Sequence, residues 1–383
     1  MRVTDDVRYV GVNDHEISLF ESQYPVPDGM SYNSYVILDE KVAVLDAVDA
    51  HFGATWLDNV RQVLDGRQPD FLIVHHMEPD HSASIDLFMK AFPAAVIVSS
   101  QKAFPMMKAF FGTDYAERRI VVKESDVICL GQHTLTFIAA PMVHWPEVIM
   151  TYDQTDKALY SADAFGKFGA LDVESDWADE ARRYYYGIVG KYGTQVQAVL
   201  KKTAALDVRT ICPLHGPVLA GEQLAEALRL YDLWAAWQPE CRNVTIVHAS
   251  IYGNTRNAAE MLANTLRQRG EQVTLHDLTS EHMSYALADV FRSDRVVLAA
   301  STYNADVFPP MRNFIHGLVE RGFRGRTIGL MENGSWAPMA AKVMRGMLDA
   351  CKELTILDPV VTVRSALNEE STAQLNALAE AMK

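Results

Sequence analysis

The sequence predicts an α/β protein of two domains. Three observations predict it: short apolar runs set off by turn residues in the first part, a regular strand and helix alternation in the last part, and 383 residues, enough for two cores. With 49% hydrophobic and 22% charged residues, the composition is that of a folded chain rather than a disordered one.

In the first part the runs Ser34 to Leu38, Val42 to Leu45, Phe71 to His75, Ala95 to Val98, Leu135 to Ala140, Ala158 to Ser161 and Thr210 to Pro213 read as strands. Ile85 to Ala91 and Gln195 to Thr203 read as helices between some of them. The text changes at YDLWAAWQPECR, Tyr231 to Arg242, where Pro239 ends a helix before a new strand begins. This places the domains at 1–240 and 241–383. Beyond the boundary come strand Val244 to His248, helix Asn257 to Gln268, strand Gln272 to Asp277, helix Ser284 to Val290 and strand Arg295 to Ala300. Helix Met311 to Arg321, strand Thr327 to Met331, helix Pro338 to Ala350 and strand Val360 to Val363 follow. Such alternation implies a doubly wound parallel sheet.

A net charge of −14 argues against a nucleic-acid or anionic-membrane partner. Met1 to Phe20 lacks the apolar core and basic flank of a signal peptide, and no stretch approaches the roughly 18 apolar residues of a membrane span. A cytoplasmic protein is expected. The 4 cysteines form no CxxC pair, so they read as reduced structural thiols rather than a rubredoxin-type, zinc-ribbon or thioredoxin-like centre.

The stretch FLIVHHMEPDHSAS runs from an apolar strand into His76, Glu78, Asp80 and His81. Alternate positions 76, 78 and 80 of an extended strand end share one side, and a turn at Pro79 brings His81 to them. His144 in APMVHWP, Asp163 in LYSADAF and His215 in CPLHGP each sit just past an apolar strand, where functional groups collect in α/β sheets. Singly these are ordinary loop histidines and a turn or cap aspartate. Together, four histidines and three carboxylates suffice for two metals sharing one carboxylate. Donors without thiolate suit iron, although zinc and manganese accept them too. His75 points to the face opposite His76 and is expected in the core or behind a ligand.

In the second part, VTIVHASIYGNTRNAAEMLA is a buried strand, a small and hydroxylic loop, and a helix starting near Asn257. Ser250, Tyr252, Gly253, Asn254 and Thr255 form a loop whose side chains and N–H groups, with the helix dipole behind them, suit a monophosphate. No GxGxxG dinucleotide fingerprint occurs. Two further strand-end loops are STYNADVFPP, with Ser301, Thr302, Tyr303 and Asn304, and ENGSWAP, with Asn333, Gly334, Ser335 and Trp336.

The H-x-[EH]-x-D-H pattern with distant His, Asp and His resembles the metallo-β-lactamase fold, and Glu78 at its third position resembles the flavodiiron proteins. The loop at Ser250 resembles the flavodoxin phosphate motif. Nearly the whole chain is thus similar to the flavodiiron core, an N-terminal metallo-β-lactamase-like αββα sandwich followed by a flavodoxin-like doubly wound parallel sheet, without the extra modules some members carry. The resemblance implies one iron on His76, Glu78 and His144, a second on Asp80, His81 and His215, and Asp163 bridging. Ala83 stands where the family commonly has glycine, a position that touches packing rather than ligation. FMN is the implied flavin, with Tyr303 and Trp336 stacking on its ring and backbone near Asn304 and Gly334 bonding its polar edge. The tyrosine run Tyr184, Tyr185 and Tyr186 offers a phenol as proton donor near the irons, or simply core aromatics. The resemblance further implies reduction of dioxygen to water and/or nitric oxide to nitrous oxide, a separate electron donor such as rubredoxin, and a head-to-tail homodimer or homotetramer. A zinc hydrolase fused to a flavodoxin module and a flavin-only electron shuttle are the competing readings.

Overall fold

The computed structural model describes residues 3–383, so Met1 and Arg2 of the N-terminal segment lie outside the described residues. The chain divides into two compact units, Met1–Asp232 and Leu233–Lys383. The division falls within the helix Gly221–Ala235, whereas the sequence pattern puts it at the strand that follows, Cys241–Ala249.

The first unit holds two 6-stranded sheets. One runs Val7–Tyr9, Tyr35–Leu38, Val42–Leu45, Phe71–Ile73, Val96–Ser100, Arg119–Val122. The other runs Val127–Cys129, Thr134–Ala139, Ile149–Asp153, Ala158–Tyr160, Thr210–Cys212, Leu219–Ala220. Strand periodicity decides which core each side chain joins. In the first sheet Ile37, Ala43, Leu45, Ile73 and Val98 meet Leu135, Phe137, Ile149 and Tyr160 of the second. Their neighbours Val36, Val42, Val44, Leu72 and Ile97 face the opposite way, onto Trp56, Val60 and Leu64 of helix Gly53–Leu64 and onto Phe88 and Phe104. Both faces of these strands are buried, so they read as continuous apolar runs. Trp56 is 0% exposed, and its indole N–H is satisfied by Ser34 Oγ at 2.9 Å, which in turn donates to the Asp46 carbonyl. Helices Gly193–Thr203 and Gly221–Ala235 cover the second sheet, where Leu159, Ile211, Ala198 and Leu228 line one groove.

The second unit is a parallel sheet in the order Val273–Asp277, Cys241–Ala249, Ser293–Tyr303, Thr327–Asn333, Thr355–Val363, with a short antiparallel addition at Asp306–Val307. In sequence numbers of the parallel strands this is the order 2-1-3-4-5, whose switch point lies between the first and third strands. Val244, Ile246, Val297, Ala299 and Met331 pack against Leu262 and Leu266 of helix Asn254–Gln268 and against Leu375 and Leu378 of Glu369–Ala381. The sequence pattern does not extend to that last helix, whose start is a capping box between Asn368 and Ser371. The helix expected from Asn257 begins at Asn254 instead, because Gly253 at φ +94 turns the chain directly into it.

Behind this sheet His276 donates to Glu281 at 2.8 Å and Asp289 at 2.9 Å. Burial opposes the imidazolium, but those two hydrogen bonds and their charges outweigh it and raise its pKa to about 9. A raised folded-state pKa contributes stability that is complete below the unfolded value, about 6.5, and lost as pH rises through 9. Thermal melts from pH 6 to 10 should therefore show a decline across that window in the parent. The decline should be shallower in His276→Gln, and parallel curves would contradict the assignment.

Candidate metal centre and flavin pocket

The segments carrying the expected metal donors leave their strands at one end of the first unit. His76 follows Phe71–Ile73 of one sheet, while His144, Asp163 and His215 follow Thr134–Ala139, Ala158–Tyr160 and Thr210–Cys212 of the other. One expectation is corrected here. The strand stops at Ile73, Glu78 is the N-cap of a short helix Pro79–Ser82, and Asp80 and His81 lie in that helix, so a helical turn and not strand alternation gathers them. Ala83 closes it at φ −60, a conformation that needs no glycine.

The seven side chains form two groups around Asp163. In the first, His76 Nε2 lies 3.3 Å from Glu78 Oε2, 3.2 Å from His144 Nε2 and 3.3 Å from Asp163 Oδ2. His144 Nε2 lies 3.1 Å from Glu78 Oε2 and 3.0 Å from Asp163 Oδ2. In the second, His81 Nε2 lies 3.0 Å from His215 Nε2, 3.3 Å from Asp80 Oδ2 and 3.2 Å from Asp163 Oδ1. His215 Nε2 is 3.2 Å from Asp80 Oδ2. A tetrahedron with bonds of about 2.0 Å has edges of about 3.3 Å, so each group has the spacing of donors around one ion. The two oxygens of Asp163 face different groups.

The polar bookkeeping agrees. Asp80 Oδ1 and Oδ2, Asp163 Oδ1 and His81 Nδ1 are buried without a hydrogen-bond partner among the described residues. Buried carboxylate oxygens left so are costly unless a cation compensates them. Burial pushes His76 and His144 down and Asp163 up, but mutual contact reverses this: His144 rises to about 9, His76 stands well above its usual range and Asp163 well below. A field that strong favours divalent cations in place of imidazole protons.

Sequence reasoning missed the residues behind the donors. His76 Nδ1 donates to Glu147 Oε1 at 2.8 Å, and His215 Nδ1 donates to the Ser31 carbonyl at 2.7 Å. His75 is buried and bonds Asp46 and Thr151, as its expected supporting position implies. Glu147, three residues past His144 in HWPE, is the one a search for nearby carboxylates finds; a backbone carbonyl leaves no signal. Phe20, Tyr32 and Tyr184 ring His215 with centroids 5.4, 6.0 and 5.5 Å away, and Trp145 stands 5.1 Å from His76. Of the tyrosine run, Tyr184 faces the donors: burial, then Asp163, Glu78 and Asp80, hold its phenol protonated, and its hydroxyl is buried without a hydrogen-bond partner among the described residues. Tyr185 packs on Tyr186 and Tyr231 instead, which corrects its expected place at the centre.

In the second unit the three expected loops close on one pocket of about 520 Å³, within the range of small-molecule sites. Its walls take in Ser250, Tyr252, Asn254, Thr255, Ser301, Thr302, Tyr303, Asn304, Asn333, Gly334, Ser335 and Trp336. Gly253 stands behind this wall, its N–H donating to Ser250 Oγ at 3.0 Å. Thr255 and Ser301 share a 2.9 Å hydroxyl bond, and Thr302 Oγ1 accepts from the Met339 N–H, so their side chains shape the pocket rather than offer free groups. Asn304 and Ala305, at φ +50 and +58, make the sharp turn beyond Tyr303. A Cβ at Gly334 would lie 2.7 Å from Pro338 Cα, so only glycine lets the loop of Trp336 fold back. Ser365, bonded to Ser335 and Asn333, was missed; it follows the last parallel strand, where the strand-end rule would have found it. Tyr252 and Trp336 are 95% and 87% exposed, flat surfaces for a planar ring beside the start of helix Asn254–Gln268, whose N–H groups suit a phosphate.

Comparison with known proteins matches this arrangement. An ODP family β-lactamase model matches residues 30–216 and a flavodoxin domain model residues 245–321. The nitric oxide reductase of Moorella thermoacetica is 28% identical over 94% of this chain and 92% of its own. The anaerobic nitric oxide reductase flavorubredoxin of Vibrio vulnificus is 27% identical over 88% of this chain and 70% of its own. The solved structure of rubredoxin oxygen:oxidoreductase from Desulfovibrio gigas superposes with a TM-score of 0.92 at 25% identity, covering 100% of this chain and 97% of that one. Fold and site thus define an oxidoreductase with a metallo-β-lactamase-like metal domain and a flavodoxin-like domain. The chain belongs to the flavodiiron proteins, and its cofactors are FMN and a diiron centre. No helix among the described residues is long and apolar enough to cross a membrane.

Proposed function

We propose that the protein reduces a diatomic gas, nitric oxide to nitrous oxide and/or dioxygen to water, as a means of detoxification. The observation that carries the reading is Asp163, whose two oxygens face two donor groups of metal spacing in a chain that also carries a flavin pocket. When bound, FMN takes electrons in pairs and releases them singly while each iron cycles between ferrous and ferric, so the reduced protein holds the four electrons dioxygen needs and the two that joining two nitric oxides needs. Relatives named nitric oxide reductase support the first substrate, and the name of the Desulfovibrio gigas protein supports the second and a rubredoxin-like donor.

The chain's own residues have separable tasks. Glu78 and Asp80 place one further carboxylate in each group, which favours the oxidised metals. Phe20, Trp145, Phe168 and Tyr184 make an aromatic wall that limits water near the donors. Tyr184 Oη, kept protonated in that wall, is the proposed proton source for the reduced gas. Electron transfer between the two sites is proposed to run between subunits of a head-to-tail homodimer or dimer of dimers.

The test is to reduce the purified protein without oxygen, mix it with nitric oxide or oxygen in parallel, and follow flavin reoxidation with metal content measured on the same sample. Rapid reoxidation by at least one gas is expected, with nitrous oxide formed in the nitric oxide arm. In Tyr184→Phe the rate should fall about 100-fold with FMN and iron retained. Zinc in place of iron with no reoxidation by either gas would instead support the hydrolase.

A further inference from the structure

The two donor groups differ in what stands behind them. Glu147 is 1% exposed, and its Oε1 accepts from His76 Nδ1 at 2.8 Å and from the Met77 N–H at 2.9 Å, while Oε2 is buried without a hydrogen-bond partner among the described residues. In the second group His215 is backed by a neutral carbonyl, that of Ser31, and His81 Nδ1 is buried with no partner among the described residues. A neutral imidazole carries one N–H, so the bond from Nδ1 to Glu147 leaves Nε2 as the atom facing the metal. It also ties a second carboxylate to that side through the ring.

We infer that Glu147 is a positioning residue that makes the two iron positions electronically unequal, so that the iron on His76, Glu78 and His144 has the lower potential and is oxidised first. The inference rests on the diiron ligand assignment proposed above. Its physical basis is charge. Glu78 and Asp80 balance each other, Asp163 is shared, and Glu21 beside Glu78 sits at the exposed rim where solvent screens it, which leaves Glu147 as the buried anion behind a ligand histidine that the second group does not match. An anion hydrogen-bonded to a ligand histidine makes the ring a stronger donor and stabilises the ferric ion relative to the ferrous. The contact is also fixed in place, because Met77 N–H holds the same oxygen and Ser100 Oγ donates to the Glu147 carbonyl at 2.6 Å.

The test is a potentiometric titration of the iron- and FMN-loaded protein followed by electron paramagnetic resonance of its half-reduced, mixed-valence state. Glu147→Gln keeps the size and the accepting oxygen but removes the charge. It should retain two irons per chain, raise the lower iron potential while leaving the upper one in place, and cut the maximal mixed-valence signal severalfold. Glu147→Asp keeps the charge and should stay near the parent. Parent-like separation and spectrum in Glu147→Gln, or an equal displacement in Glu147→Asp, would overturn the inference. If Glu147→Gln does not hold iron, Glu147→Asp decides: parent-like potentials support the inference, and a loss of separation refutes it. A parent protein that binds no iron would count against the ligand assignment itself, which separates the two failures.

Discussion

Asp163→Asn is expected to abolish the proposed gas reduction while the chain stays folded and FMN stays bound. Asp163 is 1% exposed, and its Oδ2 lies 3.0 Å from His144 Nε2 while its Oδ1 lies 3.2 Å from His81 Nε2. Asparagine preserves the shape but offers one neutral oxygen and an amide that repels a cation, so one metal position loses an anionic donor and the link between positions is gone. Loss of a partner behind a ligand already costs about 10–100-fold in metal affinity or activity, so loss of the shared ligand should exceed about 100-fold. Iron per chain, flavin absorbance and the rate of nitric oxide and oxygen consumption measure it. Turnover near the parent rate in this variant would favour an electron shuttle that uses only the flavin.

The second large effect is on the flavin. Trp336→Ala should weaken FMN binding about tenfold, and Trp336→Ala combined with Tyr303→Ala about 100-fold, because each aromatic stack is worth about 0.5–1.5 kcal/mol beyond its area. Both side chains line the pocket and are 87% and 46% exposed, so little packing is lost when they are shortened. Fluorescence titration of the apoprotein with FMN gives the constants, and iron content should not change. Unaltered affinity in the double variant would place the ring elsewhere in the pocket.

Much of the fold is legible in the order of the amino acids. The parallel sheet of the second unit is readable because strands buried on both faces are continuous apolar runs and the helices between them keep their own period. In the first unit Val42–Leu45, whose bounds agree with its apolar run, is likewise buried on both faces. The strand Ile149–Asp153 is not readable in this way because its text, IMTYD, mixes apolar and polar residues, although all five are buried between the strands Thr134–Ala139 and Ala158–Tyr160. Helix Trp177–Tyr184 is equally hidden: it buries Arg182 and Arg183, and Arg183 stacks on Phe168 at 4.3 Å, a burial of charge that no local pattern announces.

By itself, the sequence determined the donor types and their attachment to strand ends, the hydroxylic loop before a helix, and the family resemblance. These are local properties, carried by residue identity and short spacing. The resemblance already implied how the donors divide; only the tertiary structure decided that Asp163 turns one oxygen to each group, that Tyr184 and not Tyr185 faces them, and that Glu147 stands behind His76. The reason is distance along the chain. His81 and His215 meet at 3.0 Å across |i−j|=134, and His76 and Glu147 at 2.8 Å across |i−j|=71, contacts set by how two sheets pack face to face rather than by any nearby residue.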